Sequence, residues 1–309
     1  MKNKSRKKAN SFKWLALLLG ATASQAFGQS TDTASTQTTD SSQPQPSTPT
    51  QAIKVSGDYF YFKSSWNDVN GSFGGFTSQT KGSLYGGTIS IGTINTLDMS
   101  YRYGKITGTS AIPNSTPPPN QVNDNIGDTW NDVALKLKWY YKSTGYNLYD
   151  YIGLRYVRQD EVDTLPPGFQ WVFTGSPKKE LITQSLLIPI GLGYGYPFFL
   201  VGSRSTPDVG SLVLAPRVEG HIDPGLGWYS GSGNIYGSTS TFSYDAGAVG
   251  TVNLSWNIVT PGSGVQKWTV FAEGGYQYDY WGEENSAFGI QRNQSYYGPY
   301  VRAGLTFWF

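Results

Sequence analysis

The chain has 309 residues and no cysteine; it carries 38 Gly, 22 Tyr, 15 Phe and 10 Trp, against only 14% charged residues. Without cysteine there are no disulfides, thiolate metal sites, cysteine nucleophiles or lipid-modified cysteine. Lys2, Lys4, Arg6, Lys7, Lys8 and Lys13 precede the first acid, Asp32; beyond them 17 bases face 21 acids, a net of −4 that removes the electrostatic motive for nucleic-acid binding.

The N-terminus predicts export. A basic stretch to Lys13, a short apolar core over 14–20 and small residues over 21–28 form a cleaved secretory signal at 1–28, too short for the roughly 20 residues of a spanning helix. Residues 29–53 are a disordered linker: Ser, Thr, Gln and Pro fill 20 of its 25 positions, leaving too little apolar surface to offset the entropy of ordering it.

From residue 54 to 309 the period is two, not 3.6. Val55, Tyr59 and Tyr61 share one parity; Tyr85, Ile89 and Ile91 follow, then Leu97, Met99, Tyr101 and Tyr103, then Val133, Leu135, Leu137 and Trp139. The device continues through Ile152 and Leu154, Ile182 to Tyr194, Leu212 to Ile222, Phe242 to Ile258, Trp268 to Tyr278, and Val301 to Phe309. Aromatic residues sit at the ends of these apolar faces and aliphatic or small ones between them, the signature of an aromatic girdle around a hydrocarbon band. In a bilayer no sheet edge can stay open, so the strands must close on themselves. The expected fold is all-β: a transmembrane, antiparallel, up-and-down β-barrel of about ten strands with both termini periplasmic. Segments 169–174 and 198–203 would raise the count to twelve.

With its signal, its alternation and its last strand, the chain resembles the bacterial outer-membrane β-barrel proteins as a class. Val301, Leu305, Phe307 and Phe309 match the terminal pattern that the family's barrel assembly machinery recognises. The resemblance implies an outer-membrane location in a Gram-negative bacterium, contact with outer-membrane lipid, and that machinery as a partner during biogenesis. It also implies short turns at the periplasmic end and long loops outside, expected at 65–81, 108–128, 160–178, 229–240 and 281–296.

The opposite parity should face the lumen. Its bases are Lys54, Arg102, Lys136, Lys138, Arg155, Arg217, Lys267 and Arg302; its acids are Asp58, Asp98, Asp132, Glu219, Asp223, Asp245, Glu273 and Asp279. A barrel of this size has an interior that side chains can fill, and balanced charge suits closure by ion pairs better than a selective pore. On the lipid parity, Lys63, Lys105, Asp150, Arg158 and Glu180 fall at strand ends.

Reactive chemistry is scarce. There is one histidine, His221, so no His-rich metal site is expected; no Gly-x-Ser-x-Gly elbow occurs, and no cofactor is implied. Glu219-Gly-His221 is similar to the acid–histidine pair of the omptin outer-membrane proteases, and that resemblance implies Glu161 and Asp163 as the second acid pair, holding a water. The alternative is a histidine hydrogen-bonded within the barrel interior. Trp66, Phe73, Phe76, Trp281 and Phe288, with Tyr296 and Tyr297, are candidate loop contacts for an extracellular ligand. The expected function is non-enzymatic: a structural or surface-interaction barrel with a largely filled lumen, the alternatives being a narrow porin-like channel for small solutes and an omptin-like protease.

Overall fold

The computed structural model describes residues 52–68, 76–93, 95–112, 122–170, 175–202, 210–232, 240–258, 267–285 and 290–308. The expected signal lies outside them, as does the expected linker up to residue 51; Ala52 and Ile53 already belong to the first strand.

The strands are β1 (Ala52–Asp68), β2 (Phe76–Gly92), β3 (Asn95–Ile112), β4 (Val122–Tyr140), β5 (Leu148–Thr164) and β6 (Lys178–Leu187). They continue as β7 (Ile190–Gly195), β8 (Phe198–Val201), β9 (Leu212–Ser230), β10 (Ser240–Ile258), β11 (Lys267–Asn285) and β12 (Ile290–Trp308). All pairings are antiparallel, and the ladder closes: β1 pairs with both β2 and β12, with Ala52 opposite Trp308, while β9 pairs with β10 along their lengths.

Twelve strands occupy ten positions. β6, β7 and β8 are one wall strand that keeps one register against β9 as far as Phe199: Leu187 faces Gly225, Ile190 faces Ile222, Gly195 faces Arg217 and Phe198 faces Leu214, and the register shifts by one only between Phe199 and Val201. Pro189 and Pro197 interrupt it, because proline has no N–H to give the ladder. The neighbouring amides keep their partners: Ile188 N–H donates to the Pro224 carbonyl at 2.8 Å and Tyr196 N–H to the Pro216 carbonyl at 3.1 Å. The extra strand expected at 198–203 therefore exists, as Phe198–Val201, but adds no circumference. Of the segment expected at 169–174, residues 169 and 170 are not strand, and 171–174 lie outside the described residues.

The strands are longer than the sequence suggests. Nine of them run 17 to 19 residues. At about 3.3 Å per residue and a tilt of about 40°, that makes a wall about 45 Å tall, against an apolar band of about 25 Å. Much of what was expected as long loop is wall: β1 reaches Asp68, β5 reaches Thr164, and β11 and β12 extend to Asn285 and back to Ile290.

The outer surface carries the apolar parity. Val133, Leu135 and Leu137, and Val252, Leu254 and Trp256, are all exposed, Tyr85 and Leu226 to 59% and 62%. In a water-soluble protein a continuous surface of this kind would be an aggregation or binding liability; in hydrocarbon it is the required boundary. Trp139, Tyr194, Trp256, Trp268 and Phe307 lie toward the end that holds the termini; Tyr59, Tyr85, Tyr101, Tyr244, Tyr278 and Tyr297 lie toward the other. Beyond that second row the outward residues of β1, β2 and β3 become polar, with Lys63, Lys81, Lys105 and Thr107 exposed, whereas β9 and β10 stay apolar through Leu226, Trp228 and Phe242.

Charges on the outward parity are partnered locally. The Tyr141 hydroxyl, in the turn before β5, donates to Asp150 Oδ2 at 2.6 Å, and the carboxylate pushes the phenol up to about 12. Arg158 pairs with Asp160 on the same outward face, at 2.7 Å. Leu135→Arg, midway along the apolar face of β4, is expected to lower unfolding stability in lipid vesicles by about 2–4 kcal/mol, whereas Thr107→Arg, above the aromatic row, should cost less than about 1 kcal/mol. Denaturant titration of the folded barrel measures both.

Candidate functional site

Among the described residues it is the lumen that gathers the charged and titratable side chains, and it is layered. Nearest the termini is a charged layer. Arg102 Nε pairs with Asp58 at 3.1 Å, and Arg302 approaches the same carboxylate at 4.0 Å. Lys138 pairs with Asp98 at 3.0 Å, and Arg217 with Glu219 at 2.8 Å, a carboxylate that also accepts the Tyr149 hydroxyl. Arg155 is the hub: it meets Asp132 at 2.9 Å, Asp223 at 2.7 Å and Asp245 at 2.6 Å. Lys54 stands over the Phe271 ring and Lys136 over Tyr151, and the buried Glu273 faces Arg302 across the β11–β12 ladder. The inward rings of Tyr149 and Tyr151 lie where Gly193 and Gly191 have no side chain; a Cβ there would come within 2.3 Å of each ring.

Above the charges the inward parity turns apolar. Phe60, Phe62, Leu84, Ile106, Trp130, Val157, Leu187, Trp281, Tyr296 and Tyr300 form one buried cluster contributed by eight of the ten wall positions, β1 to β6 with β11 and β12, and the partly buried Val249 of β10 packs against it. Its rings pack edge to face, Trp130 on Tyr296 at 5.2 Å and on Trp281 at 5.9 Å, and Phe62 on Tyr296 at 5.3 Å, the geometry that aromatic quadrupoles favour. A second polar layer follows. Arg292 pairs with Glu161 at 2.7 Å, Lys179 with Asp163 at 2.7 Å, Tyr229 donates to Glu283 at 2.7 Å, and Gln159 donates to Asp128 at 3.1 Å.

A cavity of about 110 Å³ lies within the charged layer and one of about 20 Å³ where that layer meets the aromatic rings, room for several water molecules.

Most of the residues expected in the lumen line that larger cavity, including Asp98, Asp132, Lys136, Lys138, Arg217 and Glu273. The proposed catalytic set does not assemble. Glu219 is engaged by Tyr149 and Arg217, and His221 faces Asp245 and Asp279 at 3.9 and 3.6 Å. Glu161 and Asp163 are held by Lys179 and Arg292 on the other side of the aromatic layer, four and six residues beyond Val157 on β5. Trp281 is a correction of another kind: expected in a loop, it is a buried strand residue on the inward parity, as is Tyr296. Val301 is exposed on the outward face of β12, with Leu305 and Phe307 on the same parity. Phe73, Phe288 and Phe309 lie outside the described residues, as do the side chains of Trp66, Phe76 and Lys267.

The aromatic layer is what sequence reading missed. Its signal was present, because Phe60 and Phe62 occupy the parity opposite to Tyr59 and Tyr61, so β1 is aromatic on both faces there.

No protein-family model matches the chain, and no curated protein matches its sequence. Among solved structures it is similar to the transport unit of the autotransporter AIDA-I from Escherichia coli, at a TM-score of 0.33 and 11% identity over 87% of this chain and 93% of that one. It is similar to the translocator domain of the autotransporter NalP from Neisseria meningitidis, at 0.34 and 11% over 97% and 96%, and to the beta domain of a Bordetella autotransporter, at 0.34 and 12% over 83% and 100%. At such scores the likeness assigns no role. By its own closed ladder, outer apolar band and two aromatic rows, the chain resembles the outer-membrane β-barrels, a class and not a subfamily.

Arg155→Ala would leave three buried carboxylates without their shared guanidinium and is expected to cost about 3–5 kcal/mol of unfolding free energy. Arg158→Ala removes a partly exposed pair on the outer face and should cost about 1 kcal/mol or less. Parallel denaturant curves on the two refolded variants compare them.

Proposed function

We propose that this chain is an outer-membrane barrel of structural or surface-interaction type, sealed to solutes and without catalytic activity. Export through its N-terminal signal would place the termini in the periplasm and the far rim outside the cell. Val301, Leu305 and Phe307, on the outward face of the last strand, with Phe309 at its end, would engage the barrel assembly machinery. The observation that carries the reading is the aromatic layer: ten inward residues from eight of the ten wall positions fill the lumen between two ion-paired layers. A ten-position barrel has little interior to spare, and the two cavities described among these residues are of the size of a few waters.

The tall wall supports a role beyond the membrane. Above the outer aromatic row, Lys63, Lys81, Lys105 and Thr107 give β1, β2 and β3 a polar exterior, which would carry the far rim of the wall beyond the headgroups, where it can meet a partner. The acids that the omptin resemblance implies, Glu161 and Asp163, lie across the aromatic layer from His221, and the acids near the histidine, Asp245 and Asp279, are buried with it in the charged layer.

Purified protein in planar bilayers is expected to show no steady conductance, and Trp130→Ala/Trp281→Ala/Tyr296→Ala, if it keeps the heat-modifiable gel mobility of a closed barrel, to show stable small channels. Steady, large single-channel currents from the unaltered protein would overturn the reading.

A further inference from the structure

The one histidine of the chain is aimed at two buried carboxylates that it does not hydrogen-bond. His221 Nε2 lies 3.6 Å from Asp279 Oδ1 and 3.9 Å from Asp245 Oδ2, beyond the 2.7–3.2 Å of an N–H···O bond. His221 Nε2, Asp279 Oδ1 and Asp245 Oδ1 are all buried with no hydrogen-bond partner, an expensive state for polar atoms in a low-dielectric interior. Both carboxylate side chains are more than nine-tenths buried, and ligand atoms from the three residues lie within 4.8 Å of one another.

The surroundings look built around this gap. His221, Gly247 and Asp279 lie on one rung across β9, β10 and β11, so the histidine and the aspartate face each other over an intervening strand. That is feasible because the middle residue has no side chain: a Cβ at 247 would stand 2.0 Å from Asp279 Oδ1 and 2.8 Å from His221 Cε1. Asp279 has Oδ2 fixed by Gln277 at 2.5 Å and turns its unpartnered Oδ1 to the histidine; Asp245 is held by Arg155 at 2.6 Å through Oδ2, the oxygen that also faces His221, and keeps Oδ1 unpartnered. Ligating carboxylates are held in this way by outer partners. Charge points in the same direction, since Asp132, Asp223 and Asp245 share the single Arg155 guanidinium, with Asp279 alongside.

We propose that His221, Asp245 and Asp279 bind one divalent transition-metal ion of the zinc type in the lumen wall. One imidazole and two carboxylates suit zinc rather than calcium or magnesium, which take oxygen ligands. Two ligands at about 2.1 Å from a tetrahedral ion stand about 3.4 Å apart; the two histidine–aspartate pairs, at 3.6 and 3.9 Å, are near that, and with all three ligand atoms within 4.8 Å of one another the side chains would draw together around the ion. The adjoining cavity of about 110 Å³ leaves room for a water in the fourth position. The ion would tie three consecutive wall strands together at the level of the charged layer.

The test uses tag-free protein, refolded in detergent, stripped with chelator and then dialysed against zinc chloride. One zinc per chain is expected by elemental analysis, and the imidazole NMR signals, unique because the chain has a single histidine, should shift on loading. His221→Gln and Asp279→Asn should each weaken binding tenfold or more while keeping folded gel mobility. The urea midpoint should rise with zinc in the unaltered protein only, and not with calcium or magnesium chloride. Folded protein that takes up no zinc, or imidazole signals that do not move on loading, would overturn the proposal. So would uptake that both substitutions leave unchanged; should either variant fail to fold, the imidazole signals of the unaltered protein decide.

Discussion

Backbone hydrogen bonding governs this molecule. Surrounded by hydrocarbon, a strand cannot leave its amides and carbonyls to water, so every wall strand needs two neighbours and the sheet must close. The pairing of Ala52 with Trp308 and the full-length β9–β10 ladder meet that demand. The same rule explains how the sixth wall position tolerates two prolines. Pro189 and Pro197 have no amide to orphan, the adjacent Ile188 and Tyr196 amides remain bonded across to β9, and the register continues unchanged through both breaks. A break that shifted the register by one residue would instead have turned lipid-facing side chains inward.

Closure in turn decides the interior. With ten wall positions, alternate residues from all sides converge on a narrow axis, and whatever they carry must fit and be satisfied there. The charged layer meets this through shared partners, Arg155 serving three aspartates and Glu219 taking both Arg217 and Tyr149. The aromatic layer meets it by volume, without polar atoms to satisfy beyond a few hydroxyl and indole groups. Alternating the two along the axis confines each ion-paired cluster to its own level, which is why Glu161 and His221, both acid–base residues of the lumen, have no partner in common.

What the sequence disclosed follows from the same physics. Period-two alternation was legible because one face of every strand meets lipid: Val133, Leu135 and Leu137 could be nothing else, and their parity fixed the inward set that includes Asp132, Lys136 and Lys138. Strand ends were not legible, because above the outer aromatic row both faces of a strand are polar or mixed. Glu161 and Asp163 therefore read as loop when they are wall. Trp281 was misplaced for the complementary reason: an inward aromatic near a strand end has the composition of a loop contact, and only the parity it shares with Glu273 and Asp279 points inside. Partnerships across strands were the least accessible. His221 and Asp279 are 58 positions apart, and nothing short of the β9–β10–β11 register reveals that a glycine separates them.

The seal is made from the wall itself. Its rings come from β1, β4, β11 and β12, and their neighbours in the layer from β2, β3, β5 and β6. A lumen closed by a separate inserted segment could open by withdrawing that segment; a lumen closed by Trp130, Trp281 and Tyr296 packed edge to face can open only by changing rotamers at native packing density or by spreading strands whose hydrogen bonds have no alternative partners in lipid. The aromatic rings thus stand between two polar layers of the described wall: Arg155 and its three aspartates lie toward the end with the termini, and Glu161, Lys179 and Arg292 toward the far rim.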